Sequence, residues 1–314
     1  MGRRVLLPLA IAAATAGAFV MVALETSGSA LDEATSPNWA LLAAAFVIAA
    51  AVQPLRALAW ATTLREPISF RAVFASSSVG SFLDTVLPGR LGEASKVAVL
   101  RVAAGKEWPG LPRAGGSLLS AHLLEAIAFA LVGAVSAFFL PFPDWARGTL
   151  VGALGAAAGG LTLAAALHHK IGRFLPKAID RFLAGAAAPR TVLAKAGGIL
   201  LVTWIVRWGA MFLLLNAFGV KVGLGAALVY MIVTGLANTA PILPGNAGVY
   251  QGAAVGALAL VGHAGSKAVA ISLVAPVFAA IVTAAVAVIG ISLYGRRFAE
   301  ISRAALARPG IAAA

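Results

Sequence analysis

Long apolar runs broken by short polar or basic stretches make up most of the chain. Continuous apolar segments fall at about 5–24, 39–61, 117–140, 148–167, 197–218 and 267–292. Each is close to the roughly 20 residues that a helix needs to cross a hydrocarbon core. Two further apolar regions, 70–103 and 223–262, are each interrupted by Leu-Pro-Gly. Residues 71–87 and 91–103 make helices of about 25 and 20 Å at 1.5 Å per residue. Both fall short of a core about 30 Å thick, so a re-entrant hairpin fits better than two short crossings. The pattern predicts an all-α polytopic transmembrane bundle with six full spans and two re-entrant helical hairpins.

Composition agrees. Of 314 residues, 61% are apolar and 11% charged, against about 25% charged in soluble domains. Arg3 and Arg4 precede the first apolar run as in a signal peptide, but the run lacks a clean small-x-small cleavage site and reads as a retained span. The absence of cysteine excludes disulfides and thiolate metal sites. The four histidines form no metal-ligand motif, and no GxxxxGK-Ser/Thr phosphate loop is present. No catalytic set, metal or cofactor is therefore expected. The net charge of +13 lies mostly between spans and at the ends, which points to anionic lipid head groups rather than nucleic acid.

The same charges predict the topology. Arg3, Arg4, Arg65, Arg71, Arg101, Lys106, Arg113 and the C-terminal Arg296, Arg297, Arg303 and Arg308 are expected on the cytoplasmic side. The stretch 168–196, with six basic residues, is expected there too, as a linker or a helix on the inner surface. Region 70–103 then starts and ends inside, and 223–262 starts and ends outside. Segments 39–140 and 197–292 become two oppositely oriented units within one domain. Pro88 and Gly89 recur as Pro244 and Gly245, 156 positions on, and Gly92 recurs as Gly248. Inverted repeats with broken helices are a mark of secondary transporters, with ligand sites near the breaks. Packing kinks alone are the plainer reading of the same residues.

Polar residues in these regions are the candidate ligand contacts. After the first break, the helix start near Gly92, with Arg90 beside it, offers free N–H groups to an anion. Glu93 either suits the dipole there or pairs with Arg90. Asp84 is placed to neutralise Arg90, Lys96 or a basic ligand group. Arg56, Glu125 and Arg207 lie within spans, where charge is expensive and faces the bundle interior. Arg56 and Lys96 also have the option of snorkelling to the surface. The second break offers the neutral Asn238, Asn246, Tyr250 and Gln251.

The stretches "LPGRLGEASKVAVL" at 87–100, "PILPGNAGVY" at 241–250 and "QPLRALAWATTLR" at 53–65 resemble the lysylphosphatidylglycerol synthase transmembrane-region family, described as flippase-like membrane proteins. In that family an acidic-basic pair followed by an acid often stands after the first hairpin; here those positions are Ala121, His122 and Glu125. Gln251 stands where Glu often follows the second glycine motif. Family members fused to a soluble aminoacyl-transferase domain add lysine to phosphatidylglycerol. Only residues 293–314 follow the last span, so synthase activity is not expected. The resemblance implies translocation of an anionic lipid or polyprenyl-phosphate-linked amphiphile across the cytoplasmic membrane. A transporter of a small solute or ion, and a scaffold for a lipid-modifying enzyme, are the alternatives. A second copy of the chain or a partner enzyme is left open.

Overall fold

A computed structural model of the chain describes residues 37–86, 91–171, 175–238 and 248–294. The expected span 5–24, the residues Pro88, Gly89 and Arg90, and the residues Pro244, Gly245 and Asn246 lie outside them. Ten α-helices and no strand occur among the described residues. They are α1 Trp39–Leu64, α2 Phe70–Val86, α3 Leu91–Ala104, α4 Leu111–Ala137, α5 Asp144–Ile171, α6 Lys177–Ala186, α7 Arg190–Ala217, α8 Leu224–Ala237, α9 Val249–Leu260 and α10 Ser266–Ser292. Five of them, α1, α4, α5, α7 and α10, are long and apolar enough to cross a membrane. They match the five expected spans that the described residues contain.

Local chemistry sets the helix ends. Asn38 begins α1, its side-chain oxygen accepting from the amides of Ala40 and Leu41 at 3.1 and 3.2 Å. Arg65 ends α1 in a left-handed conformation (φ 56°). The helix dipeptide Leu111-Pro112 opens α4, where proline's missing N–H costs nothing.

The seam of the bundle is α1 against α7, the most extensive helix pair. The two run antiparallel: the Asn38 amide at the start of α1 donates to the Ala217 carbonyl at the end of α7 at 2.8 Å. Helices α2 and α3 also pack antiparallel. Ser76 bonds the Lys96 carbonyl, and Gly92 lies against Gly80 and Asp84. A methyl on Gly92 would overlap the Asp84 amide and the Gly80 carbonyl, so only glycine allows this approach. Helix α2 rests on α10, and α8 pairs with α9. The main core cluster joins α4, α7, α8 and α9 around Phe129, Trp204, Tyr230 and Leu258.

Helix α6 fills part of the expected linker 168–196 and packs against α4. Gly116 has no room for a side chain because the Phe182 carbonyl stands over it. Arg65 reaches across to the Ala184 carbonyl at 2.5 Å, and Arg113 lies 2.7 Å from Glu66. Burial and the nearby Arg113 pull the Arg65 guanidinium below its ordinary value, with Glu66 opposing. Arg65, Arg113 and α6 thus gather at one end of the bundle.

Candidate functional site

A cluster of charged side chains lies in the bundle interior between α1, α2, α3 and α4. Glu125 is fourteen residues into α4, about 21 Å from its start at 1.5 Å per residue, which is near mid-length. Arg56 of α1 donates to Glu125 at 2.8 Å. Three residues earlier on α4, His122 sets Nε2 2.6 Å from Glu93 of α3 and Nδ1 3.9 Å from Glu125. The other oxygen of Glu93 holds the Lys96 ammonium at 2.6 Å. Asp84, on α2, stands 4.0 Å from that ammonium and accepts from the Glu93 amide at 3.1 Å.

This spacing follows from helical periodicity. Residues 93 and 96, and residues 122 and 125, stand at i,i+3 and so share a face. The close antiparallel approach of α2 and α3 at Gly92 brings Asp84 level with the first turn of α3. Its carboxylate occupies the end of α3 that the sequence offers to an anion. Each charge has an opposite partner, as burial away from water demands. Lys96 is 3% exposed and turns inward rather than snorkelling, because Glu93 and Asp84 both lie within its reach. Arg56 likewise faces Glu125 instead of the surface.

Arg56, Ser77, Lys96, His122 and Glu125 line a cavity of about 20 Å3, closed on its apolar side by Trp60, Leu118, Ala121 and Leu200. That is room for about one water molecule. Among the described residues no group of three or more His, Cys, Asp or Glu could hold a metal ion.

Arg207 projects from the interior of α7, seventeen residues from its start. Its guanidinium stacks 5.0 Å from the centre of the Trp204 ring, a cation–π contact. It lies within electrostatic reach of Arg56, Glu125 and Tyr250. Among the described residues no carboxylate approaches it within 4.0 Å and no acceptor bonds it. The half-buried guanidinium is therefore unlike Arg56 and Lys96, whose charges are matched at contact distance.

The neutral candidates divide. Tyr250 of α9 meets Tyr230 of α8, hydroxyl to hydroxyl, at 3.1 Å. Gln251 accepts from the Gly248 amide at 2.6 Å and so ties the first turn of α9 to its own N-cap, where Gly248 has φ 84°. Asn238 ends α8, its amide bonding the Thr234 and Gly235 carbonyls. The structure thus brings Arg56, Asp84, Gly92, Glu93 and Glu125 into one cluster, with Arg207 and Tyr250 near it. Asn238, Gly248 and Gln251 belong to helix ends. His122 and Lys96 complete the network although neither is among the residues selected from sequence as ligand contacts. The i,i+3 pairing of each with a glutamate was the available signal.

No curated protein and no solved structure matches the chain. The family described as the lysylphosphatidylglycerol synthase TM region matches residues 5–287, most of the chain's length. That family is a membrane domain connected with lipid handling, in keeping with the apolar helices and their interior charges. On this match the chain belongs to the lysylphosphatidylglycerol synthase transmembrane-region family.

Proposed function

We propose that the protein moves an anionic phospholipid or a polyprenyl-phosphate-linked amphiphile across the cytoplasmic membrane. The observation that carries this reading is Arg207, a mid-span guanidinium without a contacting carboxylate among the described residues. A half-buried cation within a span favours a counter-charge, and a head-group phosphate supplies one together with several hydrogen-bond acceptors. Arg90 and the end of α3 near Gly92 complete the proposed anion site. There the phosphate would take the place that the Asp84 carboxylate holds. The acyl or prenyl chains stay in lipid, so only the head group needs a polar path.

The mechanism we propose is alternating access between two inverted units, 39–140 and 197–292, with hairpins entering from opposite leaflets. The antiparallel packing of α1 on α7, and the parallel sequence of pairs α2 with α3 and α8 with α9, support this arrangement. Both termini would lie in the cytoplasm. A gradient, or the lipid's own distribution, would supply the driving force.

A second reading, transport of a small ion, draws support from Asp84, Glu93 and Glu125 around a water-sized cavity. Reconstitution into liposomes with head-group-labelled phosphatidylglycerol separates the two. Arg207→Ala is expected to slow lipid transfer by about tenfold or more, a change of ~1.4 kcal/mol. Unchanged transfer in that variant removes the anion-site assignment. Ion flux without lipid transfer in the wild type favours the second reading.

A further inference from the structure

Three tryptophans lie inside the long helices, and two of their indole N–H groups have acceptors. Trp60 of α1 donates to the Ser117 hydroxyl at 3.2 Å, and Trp208 of α7 donates to the Leu224 carbonyl at 2.9 Å. Trp204 of α7 is the exception. It is 7% exposed, and its Nε1 is buried with no acceptor among the described residues. An indole nitrogen can only donate, so that hydrogen is left over. Buried donors in this state are costly, and native interiors keep few of them.

We propose that Trp204 Nε1 and the Arg207 guanidinium are two donors of one site for a head-group phosphate, and that Trp204 is its neutral binding residue. Residues 204 and 207 stand at i,i+3 and share a face of α7. The guanidinium lies over the indole ring, 5.0 Å from its centre. A charged donor and a neutral donor, both without an acceptor among the described residues, thus stand side by side within a span. A phosphate offers several oxygens at once. One accepts from the guanidinium and another from the indole N–H, and both hydrogen bonds are strengthened by the charge. This inference rests on the anionic-head-group reading given above and adds a second contact to it.

The surroundings fit this assignment. The Phe129 ring of α4 packs on the indole with ring centres 4.7 Å apart. It occupies the space that Gly235 of α8 leaves by having no side chain. Packing from two helices therefore holds the indole where it is, beside Arg207. Tyr250, also within electrostatic reach of Arg207, already has its hydroxyl engaged with Tyr230 at 3.1 Å. The indole N–H is thus the neutral donor left open. It is enclosed in this structure, so a phosphate meets it in a conformation where the packing around the indole has opened. Alternating access between the two units supplies such a conformation.

The test uses the full chain with 15N-labelled tryptophan in dodecyl maltoside micelles, which contain no phosphate. Dihexanoyl-phosphatidylglycerol is the probe, and dihexanoylglycerol is the phosphate-free control. The Trp204 indole N–H signal is assigned by its loss in Trp204→Phe. The probe is expected to move that signal downfield, as a new hydrogen bond does, and the control to leave it in place. Trp204→benzothienylalanine, introduced by amber suppression, keeps the ring and its stacking but puts sulfur where the N–H was. Probe binding in that variant, followed by phosphorus NMR line broadening, is expected to weaken by about tenfold or more, the lower end for a hydrogen bond to a charged group. The same replacement at Trp208, whose N–H serves Leu224, is expected to leave probe binding unchanged. A Trp204 signal that stays put while the probe binds overturns the proposal. So does equal binding by the wild type and the Trp204 variant, or equal weakening by the two variants; Arg207 then holds the head group without Trp204. A probe that does not bind the wild type refutes the anionic-head-group reading itself, and the two-donor site with it.

Discussion

Glu125 shows how a single side chain organises the interior. It accepts from Arg56 of α1 and stands near His122 of its own helix, so its charge ties α1 to α4. Replacing it by Gln keeps the shape but leaves Arg56 with a neutral neighbour. The loss should be on the order of 2 kcal/mol, the buried-pair cost discounted for the partial exposure of both groups. A lower melting temperature in detergent, followed by intrinsic tryptophan fluorescence, is the expected result for Glu125→Gln. Restoration in Arg56→Met/Glu125→Met would show that the uncompensated charge, rather than lost packing, caused it. The sequence marks Arg56 and Glu125 as costly charges within spans. It does not say which partner each takes, because that depends on how α1 and α4 are rotated. Lys96 illustrates the same limit: its stem length permits the surface or the interior, and only the approach of Asp84 from α2 decides.

Element boundaries are much more legible. Apolar runs of membrane length located α1, α4, α5, α7 and α10, with ends off by up to seven residues where α4 and α7 begin in more polar sequence, because lipid imposes length and hydrophobicity together. Less legible is the seating of α6. Its mixture of basic and apolar residues suggests a surface helix, whereas its contact with α4 depends on two glycines. Gly116 lies under the Phe182 carbonyl, and Gly185 faces the Arg113 carbonyl. Such contacts depend on missing atoms, which a hydropathy pattern does not register. Gly116→Val should separate α6 from α4 while leaving the long helices folded. Limited trypsin digestion should then cut after Lys177 and Arg181 at least about fivefold faster, since local opening governs cleavage. Equal cleavage rates would show that α6 does not depend on this contact.

For the molecule as a whole, the distribution of basic residues predicts an orientation in the bilayer that can be measured. The absence of cysteine makes a direct measurement simple, because any introduced thiol is unique. Lys106→Cys, before α4, is expected to react with an impermeant maleimide only from the cytoplasmic side. His263→Cys, before α10, is expected to react only from the opposite side. Labelling of both from one face would contradict two inversely oriented units. The repeated Leu-Pro-Gly lies outside the described residues; what is described is that separate helices, α2 and α3, and α8 and α9, stand on either side of each copy.

The α1–α7 seam has a mechanical consequence. If the two units tilt against each other, the long contact between these helices acts as the fulcrum, and displacement grows with distance from it. Arg56 and Arg207 ride on the two helices of the fulcrum itself. They would stay almost still while the shorter helices swing past them, so a bound charge would be handed from one leaflet to the other without ever being carried far.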